Sequence, residues 1–119
     1  LDIIEHKQLR MVIADDKKSC GFIDLYDYDF VNRRVGVGII IFEKYRSKGI
    51  GLSSLQLTEK YLLEHVPIHQ LYANISSRNK ESISLFQKSG FVNVGLKKDW
   101  IFYNNKFNDE LLFQKILNK

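Results

Sequence analysis

The sequence predicts one α/β domain in which a parallel strand–helix–strand unit forms part of a layered structure. The longest β-branched run of the chain, Val35–Phe42, predicts a buried strand, and the residues from Gly51 to His65 have a helical pattern. A second strand-like run, His69–Ile75, follows, and a right-handed crossover would make the two strands parallel. A chain of 119 residues is long enough for one hydrophobic core and too short for two.

The segment before this unit predicts a hairpin. Gln8–Ala14 alternates as a strand does, residues 15–18 form a polar turn, and Cys20–Tyr26 is the returning strand. Asp27–Arg34 is then a polar connection to the central strand. Glycines at positions 36 and 38 weaken that strand and indicate a bulge or a close backbone approach.

The first helix ends at Val66-Pro67, because proline disfavours a helical residue before it. Its predicted core face consists of Leu52, Leu55, Leu62 and Leu63. Its predicted solvent face consists of Glu59, Lys60 and Glu64. A second helix runs from Asn79 to Ser89 and stops at Gly90.

The remaining residues predict the closing strands of the sheet. Phe91–Leu96 and Trp100–Tyr103 are strand-like, and Leu111–Leu117 returns to close the sheet. Asn104-Asn105 is a tight turn, because asparagine tolerates the left-handed backbone region.

Composition excludes several classes of function. No window approaches the ~18 uninterrupted apolar residues of a membrane helix. The single cysteine, Cys20, excludes an internal disulfide and a cysteine-built metal site, which fits a reducing cytoplasm. The three histidines, His6, His65 and His69, are scattered, so surface or packing roles are favoured and no metal is predicted.

The formal charge of +4 is unevenly distributed. Residues 1–30 carry four Lys or Arg against seven Asp or Glu, whereas residues 31–119 carry fourteen against seven. The basic residues are dispersed rather than clustered, so a polyanionic small ligand explains them as well as a nucleic acid does. The acidic opening section would attract a cationic substrate or simply be solvated.

The segment Tyr45–Gly51, Tyr-Arg-Ser-Lys-Gly-Ile-Gly, joins the buried strand to the helix that follows. Small residues let backbone N–H groups converge, and a helix N-terminus adds roughly half a positive charge. Arg46 and Lys48 stand where phosphates would lie. The segment therefore predicts a phosphate-binding turn, or alternatively an ordinary strand-to-helix turn.

A second motif begins at the next helix, one strand later. Asn79 is placed as its N-cap, Ser82 lies in its first turn, and Gly90 terminates it. Together, Arg46-x-x-Gly49-x-Gly51 and the run Asn79, Ser82, Leu85, Phe86, Lys88, Gly90 and Phe91 resemble the GCN5-related N-acetyltransferase (GNAT) family. Flanking segments resemble its diamine (spermidine) and ribosomal-protein alanine N-acetyltransferase subgroup, over essentially all 119 residues.

The resemblance implies a mixed, mostly antiparallel sheet flanked by helices and an acetyl-CoA site in the strand–helix–strand unit, whose two parallel strands would splay to admit pantetheine. The turn would hold the pyrophosphate through backbone amides, Ile41-Phe42 would pair with the pantetheine arm, and Asn79 would contact that arm. The implied cofactor-binding residues are Ile41, Phe42, Arg46, Ser47, Lys48, Gly49, Ile50, Gly51, Asn79, Ser82, Phe86 and Lys88. It also implies that the given chain lacks the family's opening strand and two helices, which help to form the acceptor site.

Two departures from the family pattern leave the catalytic residues unassigned. Phe86 stands where many members have a tyrosine that protonates the thiolate, and Gly36 stands where a glutamate base is common. Tyr28, Tyr45 and Tyr103 are candidate replacement acids. Asp24, Asp27 and Asp29 would bind a polyamine or basic peptide end, or form a solvated edge, with Asp24 on the opposite strand face.

The expected function is direct transfer of an acetyl group from acetyl-CoA to a primary amine of a polyamine, an amino sugar or a protein N-terminus. We expect a cytoplasmic enzyme that binds neither nucleic acid nor membrane, and homodimers are common in this subgroup. One alternative is a non-catalytic acyl-CoA sensor of the same fold, which the departures at Phe86 and Gly36 favour. A small RNA-binding domain is a weaker alternative, because no stacking-aromatic motif accompanies the charge.

Overall fold

A computed structural model describes residues 2–117 of the chain. Its elements form a six-stranded sheet in the order β1-β2-β3-β4-β6-β5, in which only β3 and β4 are parallel. The strands are β1 Leu9–Asp15, β2 Lys18–Asp29, β3 Arg34–Ile41, β4 Gln70–Ser76, β5 Val92–Tyr103 and β6 Lys106–Ile116. The helices are α1 Asp2–His6, α2 Ile50–His65 and α3 Lys80–Lys88. The mixed, mostly antiparallel sheet with its strand–helix–strand unit is therefore confirmed.

The core lies where the parallel strands meet the two longer helices. Its fully buried side chains come from α1, β2, β3, α2, β4, α3 and β6, and include Ile23, Leu25, Leu55, Leu62, Val35, Val37, Leu71, Ala73, Phe86 and Phe113. On α2 the predicted core face is wrong at Leu63, which is 47% exposed. Thr58 takes a buried place instead, because its hydroxyl donates to the Ser54 carbonyl 2.8 Å away.

Glu59 is not solvent-facing as predicted. Its carboxylate accepts from the Lys115 Nζ at 2.9 Å, and both side chains are largely covered. The ion pair links α2 to β6, which are far apart in sequence. Helical periodicity places a residue on a face of its helix, but it does not reveal a charged partner that arrives from a distant strand.

Three differences concern the extent of elements. β2 continues through the predicted loop as far as Asp29, because a bulge with Asp27 at φ 52° absorbs the irregularity. β5 is continuous across Lys97–Ile101, where the ladder again shifts register, and β6 begins at Lys106 rather than at Leu111. The stretches that were missed in β5 and β6, residues 97–99 and 106–110, are mostly polar because much of the β5–β6 hairpin is exposed. They therefore lack the apolar pattern of a strand. The short helix α1, with Ile3 buried, was not predicted.

Several local predictions are confirmed. Asn104 and Asn105 both have positive φ and join β5 to β6. Gly90 has φ 99° and follows α3, where its N–H donates to the Gln87 carbonyl. Asn79 caps α3. At each of these positions the backbone demands a particular residue type.

Candidate functional site

The two parallel strands are paired only at their beginnings. The β3–β4 register runs from Arg34↔Gln70 to Gly36↔Tyr72, yet β3 continues to Ile41 and β4 to Ser76. Beyond Gly36 each strand stays paired on its other side, β3 with β2 and β4 with β6. The sheet therefore forks at this point. A cavity of about 220 Å³ lies in the fork, between Gly38 and Ile39 on one side and Asn74 and Ile75 on the other.

The two glycines of β3 have different surroundings. A Cβ on Gly36 would lie 2.3 Å from the ring of Tyr26, so the ring occupies the side-chain space of that position. A Cβ on Gly38 would meet nothing within 4 Å, and this glycine lines the cavity. The close neighbour at Gly36 is therefore a side-chain ring and not the backbone that was predicted, whereas Gly38 leaves the cavity wall open.

A groove of about 620 Å³ lies beside the cavity, along the end of β3 and between the first turns of α2 and α3. Ile39 and Ile40 line both of them. Nine of the twelve residues predicted to bind the cofactor line the groove, namely Ile41, Arg46, Ser47, Gly49, Ile50, Gly51, Asn79, Ser82 and Lys88. Phe86 lines the smaller cavity. Phe42 and Lys48 line neither; Phe42 packs edge-on against Phe22, and Lys48 lies 5.9 Å from the Tyr45 ring centroid.

The N-terminus of α2 opens onto this groove without a side-chain cap. Gly49, its N-cap residue, has φ 77° and supplies no capping atom, and no acidic residue lies in the first turn. The first turn of a helix has N–H groups without intrahelical partners, so donors remain here for a ligand. The dipole and these N–H groups make the groove favourable for an anion.

Arg46 connects the strand end to the opposite side of the groove. Its Nε donates to the Ile41 carbonyl at 2.9 Å, and its guanidinium lies 3.9 Å from the Glu81 carboxylate of α3. The first contact fixes the base of the side chain. The second joins two exposed groups and is weak, so the guanidinium can exchange it for a ligand phosphate.

Asn79 has a structural task in addition to its place in the groove. Its Oδ1 accepts from the Ser82 N–H at 3.1 Å, which caps α3. Its side-chain amide N–H groups remain as donors toward the groove. Phe86, on the same helix, is 2% exposed and packs edge-on against Phe91 with centroids 4.9 Å apart.

The acidic residues of β2 are not arranged as the alternation predicts. The bulge at Asp27 moves the buried positions from Ile23 and Leu25 to Tyr28, so Asp24 and Asp29 share the half-exposed face. Asp24 lines the cavity and accepts a bidentate pair from Arg10 at 2.7 and 2.8 Å, which lowers the pKa of its carboxyl. Hydrogen bonds from Asn32 likewise lower the pKa of Asp29.

None of the three candidate replacement acids lines the cavity in the fork. The Tyr28 hydroxyl donates to the Pro67 carbonyl at 2.6 Å, and its side chain belongs to the core. Tyr103 is 63% exposed beside the β5–β6 turn. Tyr45 lines the groove. Sequence reasoning missed Tyr26 and Asn74, whose side chains meet across the fork, because no motif marks either one.

No cluster of His, Cys, Asp or Glu that could hold a metal ion occurs among residues 2–117. The His65 ring lies 4.8 Å from that of Tyr61, and Cys20 is buried. Within the described part of the chain, no helix has the length and apolar character needed to cross a membrane.

A forked parallel pair with an uncapped helix N-terminus beside it defines a candidate site for an extended, anionic ligand. Residues 3–92 match the family model described as an acetyltransferase (GNAT) domain. The chain belongs to the GNAT acetyltransferase family, whose enzymes use acetyl-CoA, and the predicted class, an acetyl-CoA-dependent N-acetyltransferase, is confirmed.

Curated relatives agree in class and differ in acceptor. The chain is 24% identical to the spermidine N(1)-acetyltransferase of Vibrio cholerae, over 98% of this chain and 70% of that protein. It is 25% identical to the spermidine N(1)-acetyltransferase of Escherichia coli K12, over 92% of this chain and 59% of that protein. It is also 29% identical to the ribosomal protein uS5-alanine N-acetyltransferase of the same strain, over 64% and 39%. The chain thus spans only part of each of these relatives.

Solved structures share the fold. The Vibrio cholerae spermidine N-acetyltransferase in complex with CoA and spermine superposes with a TM-score of 0.88 at 20% identity, covering 98% of this chain and 69% of that one. A chimera of the Vibrio cholerae enzyme and hSSAT gives the same TM-score at 21% identity, with 98% of this chain and 70% of that one covered.

Proposed function

We propose that this chain binds acetyl-CoA in the groove and fork and transfers the acetyl group to a primary amine. The observation that carries the proposal is the continuity of the forked β3–β4 pair with the uncapped N-terminus of α2. A fork between strands leaves backbone groups of β3 unpaired on one side, which suits an extended amide-containing arm such as pantetheine. The basic, N–H-rich groove suits the pyrophosphate.

In this proposal several of the twelve residues predicted from sequence have distinct roles. The backbone of residues 49–51 and the Arg46 guanidinium bind the pyrophosphate, and the end of β3 with the Asn79 side chain binds the pantetheine arm. Phe86 supplies an apolar wall near the thioester, because it is buried and lines the cavity. The acceptor amine enters from the side of Asp24 and attacks the thioester carbonyl directly, without a covalent enzyme intermediate.

The proposed acceptor is a cationic amine, a polyamine or a peptide N-terminus. Support comes from the acceptors named for the relatives above. An amine attacks in its uncharged form, so it must release a proton before or during the step. Positioning alone can contribute about 7–11 kcal/mol to such a reaction.

A release assay for free CoA, joined to mass spectrometry of the products, tests the proposal. The unaltered chain is mixed with acetyl-CoA and spermidine, an amino sugar or a peptide with N-terminal alanine. We expect one acetyl group on the amine of one class of acceptor, with an equal amount of free CoA. Absence of acetyl-CoA binding by calorimetry would refute the proposal.

A second candidate is a non-catalytic acyl-CoA sensor. It is favoured by Phe86, which has no proton to give, and by Gly36, which has no side chain to act as a base. Tight acetyl-CoA binding without transfer to any of the amines would support the sensor.

We also propose that the protein is a cytoplasmic homodimer. Cys20 is a free, buried thiol, which suits a reducing compartment. The edge strand β5 exposes Val92, Val94 and Leu96 by half or more, which is the kind of surface that a second copy covers. Sedimentation equilibrium tests the dimer, and a monomer at all concentrations would contradict it.

A further inference from the structure

A chain of polar side chains runs from the fork to the far edge of the sheet. The Asn74 Nδ2 donates to the Tyr26 hydroxyl oxygen at 3.2 Å, and the Lys97 Nζ donates to the Asn74 Oδ1 at 2.8 Å. Lys97 also pairs with Glu110 at 2.9 Å. These residues come from β2, β4, β5 and β6, and none of them belongs to either motif. Only Asn74 among them lines the cavity in the fork.

Lys97 fixes the orientation of the Asn74 amide. An ammonium group has three donors and no acceptor, so the amide atom that faces it must be the oxygen. The amide nitrogen therefore faces Tyr26, whose hydroxyl oxygen accepts. Burial raises the pKa of the Tyr26 phenol, so this partner stays neutral. The two contacts exclude the flipped amide, and the Nδ2 group has a defined direction.

One hydrogen of the Asn74 Nδ2 remains for a ligand. The amide has two N–H donors, and in the described part of the chain only the Tyr26 oxygen accepts from them. The nearby Asp24 carboxylate is engaged by both donors of Arg10. The Lys97 ammonium, on the oxygen side of the Asn74 amide, polarises the amide and disfavours a cationic group against the Nδ2. The N–H is therefore suited to an acceptor atom that gains negative charge.

We propose that Asn74 donates a hydrogen bond through this N–H to the thioester carbonyl oxygen, and that Lys97 and Tyr26 are its positioning residues. The inference rests on the proposed function. The neutral amine attacks the carbonyl carbon, a C–N bond forms, and the carbonyl π electrons move to oxygen, where the Asn74 N–H stabilises them. When the carbonyl re-forms, the C–S bond breaks, the amine loses its proton to water, and the thiolate takes one from water.

Gly36 leaves room for the Tyr26 ring in this arrangement. The Tyr26 ring lies where a side chain at position 36 would stand, with three ring carbons 2.3 to 2.7 Å from the place that a Cβ would take. Any side chain there would move the ring and with it the hydroxyl that orients Asn74. Position 36 must therefore lack a side chain, and hence a base, if the Tyr26 side chain is to cross β3 and reach Asn74 on β4.

Asn74→Asp tests the inference, because aspartate keeps the shape and the acceptor for Lys97 but loses the N–H donor. Asn93→Asp is the matched control: the same exchange on the exposed β5, where the Asn93 Oδ1 accepts from the Gly95 N–H and aspartate can do so too. We expect Asn74→Asp to lower kcat by about 10²–10³. Acetyl-CoA affinity by calorimetry should stay within about threefold, because the lost contact strengthens only in the transition state.

The infrared carbonyl band of bound acetyl-CoA, labelled with ¹³C at the acetyl carbonyl, supplies a readout that needs no turnover. In the unaltered chain this band should lie below that of free acetyl-CoA, and Asn74→Asp should remove part of the difference. Tyr26→Phe and Lys97→Met should each lower kcat by about tenfold with affinity retained, since they loosen the amide rather than remove it.

The outcomes distinguish a failure of the role of Asn74 from a failure of the proposed function. If Asn74→Asp still binds acetyl-CoA, with the carbonyl band of the unaltered chain and a kcat within about threefold of it, the role of Asn74 is overturned. The proposed function then still stands. An equal loss in Asn93→Asp also overturns it. If the unaltered chain does not bind acetyl-CoA, the proposed function fails and this inference fails with it.

Discussion

The two helices that meet at the groove begin in opposite ways. α3 is capped by the Asn79 side chain and carries Glu81 in its first turn, so its N-terminus is satisfied from within the chain. α2 begins at a left-handed Gly49 with no capping side chain and no acid in its first turn. A helix start left without internal partners has donors to offer, whereas a capped one mainly provides support. The difference supports the proposal that the start of α2 binds the pyrophosphate, with the start of α3 as the opposite wall of the groove.

The largest expected effect comes from adding a charge at the uncapped end. Gly49→Asp should weaken acetyl-CoA binding by on the order of 30-fold or more, because a carboxylate would face the pyrophosphate at short range. Gly49→Asn is the matched control, since both residues tolerate the left-handed region and a Cβ there meets no atom within 4 Å. Calorimetry compares the two, and equal affinities would contradict the assignment of the phosphate site.

Gly51 is a less clean position for the same experiment. A Cβ there would lie 3.0 Å from the Leu85 side chain, so a substitution would also disturb the contact between α2 and α3. A loss of affinity in Gly51→Asp would therefore combine crowding with charge. Gly49 separates the two causes.

Removal of the arginine at the groove should have the next largest effect. Arg46→Ala should weaken acetyl-CoA binding by about tenfold, and the loss should shrink at high salt, since part of it is a screened charge interaction. Arg78→Ala removes the same charge outside the groove, where the guanidinium lies 5.3 Å from the Tyr103 ring centroid. Similar losses in both variants would indicate a general charge effect rather than a site.

The cap of α3 tests the other half of the comparison. Asn79→Ala should lower the free energy of unfolding by about 1 kcal/mol, because the Ser82 N–H loses its acceptor. Asn79→Asp keeps that acceptor and should keep the stability. Urea unfolding of the two variants measures the difference. A stability loss in Asn79→Asp equal to that in Asn79→Ala would show that the cap is not the cause.

The smallest expected effect concerns the acid at the capped end. Glu81→Gln should raise acetyl-CoA affinity by about twofold, because it frees Arg46 from a weak pair and removes a negative charge beside the groove. Glu5→Gln, a change at an exposed residue of α1, should leave the affinity unchanged. A fall in affinity in Glu81→Gln would mean that the pair positions Arg46 for the ligand.

Sequence reasoning succeeded where a residue type is dictated by the local backbone. Gly90 and the Asn104-Asn105 turn could be placed because left-handed conformations select glycine and asparagine, and Gly49 because a phosphate-binding turn requires small residues. The fork could be anticipated only through the family resemblance, since nothing local marks the residue at which two strands part. Tyr26, Asn74, Lys97 and Glu110 were missed because they come together through strand register. A single sequence does not reveal the register of four strands.

The same limit explains the missed bulges. Asp27 and Asp99 each have φ 52° and allow a strand to continue through a polar stretch. Aspartate in a polar stretch predicts a loop as readily as a bulged strand, so the sequence pattern does not distinguish the two. At Asp99 the backbone N–H donates to the Asp109 carboxylate of the neighbouring strand at 2.9 Å, a contact between residues ten positions apart that periodicity does not show.

The most direct test of the central claim is a titration of the ¹⁵N-labelled chain with acetyl-CoA, followed by NMR. If the uncapped start of α2 and the forked end of β3 bind the acetyl donor, the largest amide shifts should fall on residues 39–41 and 46–51. Smaller shifts should fall on the first turn of α3. Saturable binding with shifts confined to other surfaces, or no shifts at all, would contradict the account.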